Sequence, residues 1–130
     1  MATVLVVDDD KHQRLLYQEE FERDSYQVLL ASSGQEAVAT VAQQEVDVVV
    51  LDIAMPGMDG VETLSKILDI DRQLPIILNT AYSSYKDDFM TWAADAYVTK
   101  SSDLTTLKQH VEEVLQEHNI PLPQAPDDKE

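Results

Sequence analysis

The sequence predicts a single-domain α/β protein, a doubly wound five-stranded parallel sheet flanked by five helices, and three observations carry the prediction. Short β-branched runs alternate with helical patterns along the chain, an order that makes successive strands parallel, with right-handed crossovers and helices on both faces. The run "VDVVVLD" is apolar nearly throughout, as a central strand covered on both faces must be. At 130 residues the chain is long enough to bury a core between such layers.

The elements follow in order. Thr3–Val7 is the first strand. The helix after it, 11–24, carries Leu16, Tyr17 and Phe21 on one face. Residues 26–31 form the second strand. "SGQE" then matches a capping box, in which Ser33 caps the second helix and Glu36 reaches back. That helix carries Ala37, Val38, Val41 and Ala42 on one side. "VDVVVLD" is the third strand. The loop "IAMPGMDG", whose Pro56-Gly57 suits a type II turn, leads into a helix with Val61, Leu64, Ile67 and Leu68. "PIILNT" is the fourth strand, "SSYKDDFMTWA" a short, weakly patterned helix carrying Trp92, and "AYVTK" the fifth strand. The last helix, 103–117, repeats Leu104, Leu107, Val111, Val114 and Leu115. No internal repeat is present. The domain is placed at 1–118, and "NIPLPQAPDDKE", 119–130, reads as a Pro-rich acidic tail or the start of a linker.

Composition narrows the function. Net charge is −16, from 25 acidic and 9 basic residues, which argues against direct contact with nucleic acid or an anionic membrane. The absence of cysteine excludes disulfides, thiolate metal sites and cysteine nucleophiles. The first apolar run is too short for a signal peptide and lacks a basic flank, and no run approaches a membrane span. The cytoplasm is the expected compartment. A calcium loop starting at Asp8 fails at its sixth position, Gln13, and no glycine-rich phosphate loop occurs. His12, His110 and His118 lack partner spacing and read as surface residues.

The chemistry collects at the strand ends. Ligands of such folds sit beyond the carboxyl ends of the strands, at the switch point of the strand order. Strand one ends at Asp8, Asp9 and Asp10, strand three at Asp52, strand four at Thr80 and strand five at Lys100. Two carboxylates about 5 Å apart repel by roughly 3 kcal/mol at an effective dielectric near 20, so a cation between them is expected. Carboxylates without Cys or a placed His suit a hard cation, and Mg²⁺ fits best, taking its remaining ligands from water and phosphate. Lys100 and Thr80 would supply a charge and a hydrogen bond to phosphoryl oxygens, which leaves Asp52 as a nucleophile toward phosphorus. Each piece also has a plainer reading. The aspartates after strand one could simply cap the next helix and favour its dipole, and Asp52 could be a turn residue. The combination is the specific signal.

In that combination the sequence resembles the receiver domain of two-component response regulators over roughly residues 3 to 117. "VLVVDDD", "ASSGQEAV", "VVVLDIAMPGMDG", "ILNTAY" and "AYVTK" resemble the family's motifs in the family's order. The resemblance implies a flavodoxin-like sheet of strand order 2-1-3-4-5. It implies that Asp52 is phosphorylated from a phosphohistidine of a sensor histidine kinase or phosphotransfer protein. Asp8, Asp9 and Asp52 would bind Mg²⁺ together with the backbone carbonyl of Ala54. Lys100 would contact the phosphate, Thr80 would be the switch hydroxyl, and Tyr97 the aromatic side chain that follows it. Ala54 and Tyr82 would flank the route of the hydrolytic water, and neither offers an acid or amide to orient it.

Two departures stand out. Lys100 is followed by Ser101 where the family usually has a proline joined through a cis peptide, and Ser25 stands where a glycine often ends the first helix. The expected activity is a self-catalysed phosphoryl acceptor rather than a turnover enzyme. Its output would be a protein partner or a C-terminal effector domain, and its state a monomer or a weak phosphorylation-dependent dimer. Two alternatives compete with this reading. An aspartate-nucleophile phosphatase of the haloacid dehalogenase type would need an acid where Ala54 stands. A degenerate receiver serving only for docking would not be expected to retain Asp8, Asp9, Asp52, Thr80 and Lys100 together.

Overall fold

Successive side chains of a strand point to opposite faces of its sheet, and here both faces are apolar. The computed structural model describes residues 2–52, 60–81, 94–101 and 103–122. Among them five strands, β1 (Thr3–Val7), β2 (Gln27–Ala31), β3 (Val48–Leu51), β4 (Ile76–Thr80) and β5 (Ala96–Thr99), form one sheet. The order is β2-β1-β3-β4-β5 and every neighbouring pair is parallel, as expected. The helices among the described residues are α1 (Lys11–Arg23), α2 (Gly34–Gln43), α3 (Gly60–Ile70) and α4 (Thr105–Glu117). The further helix expected at 83–93, with Trp92, lies outside the described residues, as do Ala54, the Pro56-Gly57 turn and Tyr82. No helix among the described residues is long and apolar enough to cross a membrane.

The strands divide their side chains between two cores. Val4, Val6, Val48, Val50 and Ile77 face Tyr17 and Phe21 of α1 and Leu107, Val111, Val114 and Leu115 of α4. Leu5, Val7, Val49, Leu51, Ile76 and Leu78 face Ala37 of α2 and Leu64 and Ile67 of α3. Each fully buried aliphatic side chain stabilises the fold by about 1.5–3 kcal/mol. The central strand β3 is buried along its whole length, while edge strand β2 exposes Gln27 and half-exposes Val28 to Leu30.

Helix ends follow local chemistry. Ser33 Oγ accepts from the Glu36 N–H at 3.1 Å, as expected, but the Glu36 carboxylate reaches one residue further back than a capping box, to the N–H and hydroxyl of Ser32 at 2.6 and 2.9 Å. Both α1 and α4 end in the same six-residue closure. Tyr26 N–H donates to Phe21 O and Ser25 N–H to Glu22 O, and Ile120 N–H and Asn119 N–H donate likewise to Leu115 O and Gln116 O. The closure requires a left-handed residue, which is Ser25 at φ 72° and Asn119 at φ 60°. Asn tolerates that conformation, whereas Ser carries more of the Cβ penalty there. After this turn Ile120 and Leu122 pack against the α1–α4 core, and 123–130 lie outside the described residues.

Candidate functional site

The order β2-β1-β3 means that the chain turns outward after β1 and returns on its other side, so a crevice opens between the carboxyl ends of β1 and β3. The first residues past those strands are held by the last rungs of the ladders. Asp8 N–H donates to Ala31 O at 3.1 Å and Asp52 N–H to Val7 O at 3.0 Å. Both carboxylates are thereby carried into the crevice, with Asp8 2% and Asp52 5% exposed.

The three consecutive aspartates take three different places. Asp8 is buried, and its Oδ1 accepts from the Asp10 N–H at 2.9 Å. Asp10 turns back to cap α1, accepting from His12 N–H at 2.9 Å, so the plain capping reading holds for this residue. Asp9 is exposed, yet it offers an oxygen to the same spot as Asp8 and Asp52. One ligand atom from each of the three lies within 4.8 Å of the others.

Lys100, just past β5, crosses to this spot. Its Nζ lies 2.7 Å from Asp8 Oδ2 and 2.9 Å from Asp52 Oδ2. Burial and this ammonium act together on the titration of Asp8 and of Lys100. Burial pushes the Asp8 carboxyl above its ordinary range, a push only partly offset by the Lys100 and Asp10 hydrogen bonds and reinforced by Asp52. Burial alone would lower the Lys100 ammonium, but its bonds to Asp8 and Asp52 more than reverse that and hold it well above its ordinary value. The cation gains from both anions at once.

Thr80 is fully buried at the end of β4, where its carbonyl accepts from Lys100 N–H at 2.8 Å. Tyr97, two residues before Thr99, the β5 partner of Thr80, packs with Leu78 on the α2–α3 face of the sheet. The Lys100-Ser101 peptide is trans, as is every peptide among the described residues. The structure therefore brings Asp8, Asp9, Asp52 and Lys100 into contact range and sets Thr80 on the adjoining strand end. Two residues went unnoticed as site neighbours in the sequence. Arg14 Nη1 donates to the Asp8 carbonyl at 2.7 Å, steadying the β1–α1 turn. Asn79, the polar interruption in "PIILNT", donates from Nδ2 to Tyr17 Oη at 2.6 Å beneath the site. That interruption was the available signal.

The donor set fits a hard divalent cation. All three groups are carboxylate oxygens, and an octahedral Mg²⁺ at about 2.1 Å spaces its ligands by about 3 Å on adjacent corners and about 4.2 Å on opposite ones. The observed spread is within an ångström of that upper figure. The ammonium already held between Asp8 and Asp52 marks the place as one that attracts positive charge.

A parallel 2-1-3-4-5 sheet with a carboxylate trio and a bridging lysine at its switch point defines a class. Residues 4–112 match the response regulator receiver domain, and the chain belongs to that family. It is similar to sporulation initiation phosphotransferase F of Bacillus subtilis, at 39% identity over 61% of this chain and 64% of that protein. It is similar to the heme response regulator HssR of Staphylococcus haemolyticus, at 34% identity over 92% of this chain and 54% of that one. The chain thus spans less than two thirds of the length of these curated relatives. Among solved structures it resembles the response regulator TrrA of Thermotoga maritima in complex with Mg²⁺–BeF, with a TM-score of 0.86 and 41% identity over 88% of this chain and 100% of that chain. It resembles the same regulator in complex with the histidine kinase ThkA, with a TM-score of 0.83.

Proposed function

We propose that the chain is a phosphorylation-activated signalling switch in which Asp52 accepts a phosphoryl group from the phosphohistidine of a sensor kinase or phosphotransfer protein. The convergence of Asp8, Asp9, Asp52 and Lys100 from three strand ends carries this reading. An Asp52 oxygen attacks phosphorus in line, the P–N bond of the donor breaks with its electron pair leaving on the imidazole, and a P–O bond forms an acyl phosphate. Asp8, Asp9, Asp52 and the Ala54 carbonyl would hold Mg²⁺, which neutralises charge on the phosphoryl oxygens when bound. Lys100 moves from bridging carboxylates to contacting the phosphoryl group, and Thr80 turns its hydroxyl toward it, with Tyr97 following. The complex of the similar TrrA with ThkA supports a kinase as the donor, and its Mg²⁺–BeF complex supports the cation. The output is contact with a protein partner or an attached effector domain. Exchange of an aspartyl phosphate in this way is signalling rather than turnover.

The test is mass spectrometry after incubation with acetyl phosphate and Mg²⁺. One added phosphoryl group is expected, absent in Asp52→Ala; its survival at normal yield in that variant would refute the assignment. The adduct should last for hours, since neither Ala54 nor Tyr82 supplies a group to orient water. Decay within a minute contradicts that reading of Ala54 and Tyr82.

A further inference from the structure

In the α1–α4 core one buried polar pair is joined by a side-chain hydrogen bond. Tyr17 of α1 is 1% exposed and Asn79 of β4 is 2% exposed, and they share the 2.6 Å hydrogen bond across 62 residues of sequence. A Phe–Leu pair would fill comparable volume without burying polar groups, so hydrophobic packing does not account for this one. What a polar pair adds to an apolar core is direction, because its bond fixes the two groups at one distance and angle.

Its location gives that direction a use. Asn79 immediately precedes Thr80, and by strand alternation the two side chains leave opposite faces of the sheet. On the Asn79 face the end of β4 borders a recess beside β5 and the start of α4. A cavity of about 310 Å³ opens there, lined by Asn79, Val98, Thr99, Leu104 and Leu107. Asn79 itself is buried, and its bond to Tyr17 ties the end of β4, next to Thr80, to α1. The Tyr17 phenol also feels the charges of Lys100, Asp8 and Asp52, in keeping with a place near the site.

We infer that Tyr17 and Asn79 are positioning residues, which hold the end of β4 so that the Thr80 hydroxyl lines up with a phosphoryl group on Asp52. The inference rests on the phospho-acceptor reading of Asp52 and adds a residue pair to it. The metal ligands sit on β1 and β3, so the pair should govern the rate of phosphoryl capture without governing cation affinity.

The experiment compares the wild type, Tyr17→Phe, and Tyr17→Phe combined with Asn79→Leu, using acetyl phosphate as donor. The double variant leaves no polar group unpaired and should melt close to the wild type, with an unchanged Mg²⁺ midpoint. Its phosphorylation should nonetheless slow by about five- to tenfold, since small misplacements of a positioned group are costly in rate. Tyr17→Phe removes one hydroxyl and should show the same split between rate and metal midpoint. In the metal-free protein, relaxation dispersion at the Thr80 amide should report microsecond-to-millisecond exchange in both variants and none in the wild type. Wild-type rates and a quiet Thr80 amide in both variants overturn the proposal while leaving the phospho-acceptor reading intact. A wild type that takes no phosphoryl group would instead remove that reading, and with it the role assigned to the pair.

Discussion

Replacing Lys100 by Met keeps the length of the side chain and removes its charge, which isolates the role of the ammonium between Asp8 and Asp52. In the wild type that nitrogen lies 2.7 and 2.9 Å from the two carboxylates, both nearly buried. Without it, two carboxylates less than 4.8 Å apart face one another. Their repulsion is about 3–4 kcal/mol at an effective dielectric near 20. Removing one partner of a buried pair costs about 3–5 kcal/mol, and the partial exposure of Lys100 brings the expected loss to roughly 2–4 kcal/mol. For a domain of this size that is a fall in Tm of about 6–15 °C. Thermal melts without divalent cation measure it. Added Mg²⁺ should then stabilise Lys100→Met by more than it stabilises the wild type, because it no longer competes with an ammonium for the same oxygens. A second substitution, Asp8→Asn, should recover part of the loss in the Lys100→Met background by removing one of the repelling charges. If Lys100→Met melts like the wild type and its Mg²⁺ shift is unchanged, the ammonium does not hold the carboxylates together and the electrostatic account of the site fails.

Three further outcomes are expected. Mg²⁺ should raise the Tm of the wild type by mass action, and Asp9→Asn should shrink that shift, since the exposed Asp9 contributes to the cation spot while burying no charge; an undiminished shift places the ion elsewhere. Ser25→Gly should stabilise the fold by about 0.5–1 kcal/mol, or roughly 2–5 °C, because glycine occupies the φ 72° position without the Cβ penalty, and calorimetry showing a lower Tm would contradict this. Burial, with Glu112 and Asp24 adding to it, pushes the Tyr26 phenol up to about 12. The folded state therefore favours the neutral phenol. Its contribution, up to about 3 kcal/mol, is whole below pH 10 and lost as the pH rises from 10 to 12. Tyr26→Phe, which keeps the edge-on contact with Phe21, should flatten that alkaline limb in denaturant titrations; an identical limb in the variant would show that other groups cause it.

Periodicity and strand-end chemistry are local, which is why so much could be read from the sequence. The β-branched run of β3, the Leu107–Val111–Val114–Leu115 stripe of α4 and the Ser33 cap each depend on neighbours within a few residues. The rule that ligands bind at the carboxyl ends of parallel strands then collects Asp8, Asp9, Asp52, Thr80 and Lys100 without further information. The sequence could not say how "DDD" would be divided. Asp8 goes to the crevice, Asp9 to its rim and Asp10 to the α1 cap, because the backbone leaves β1 in one direction only and the ladder to Ala31 pins Asp8. Nor could it say that Lys100 would bridge two carboxylates, one of them 48 residues away, or that Asn79 would find Tyr17 inside an apolar core. Such pairings depend on which groups lose their water together, and burial is a property of packed layers rather than of any segment. The residue types and their strands were determined by the sequence; the sharing of one cation among several anions was decided only once the sheet had brought its strand ends together and closed them off from solvent.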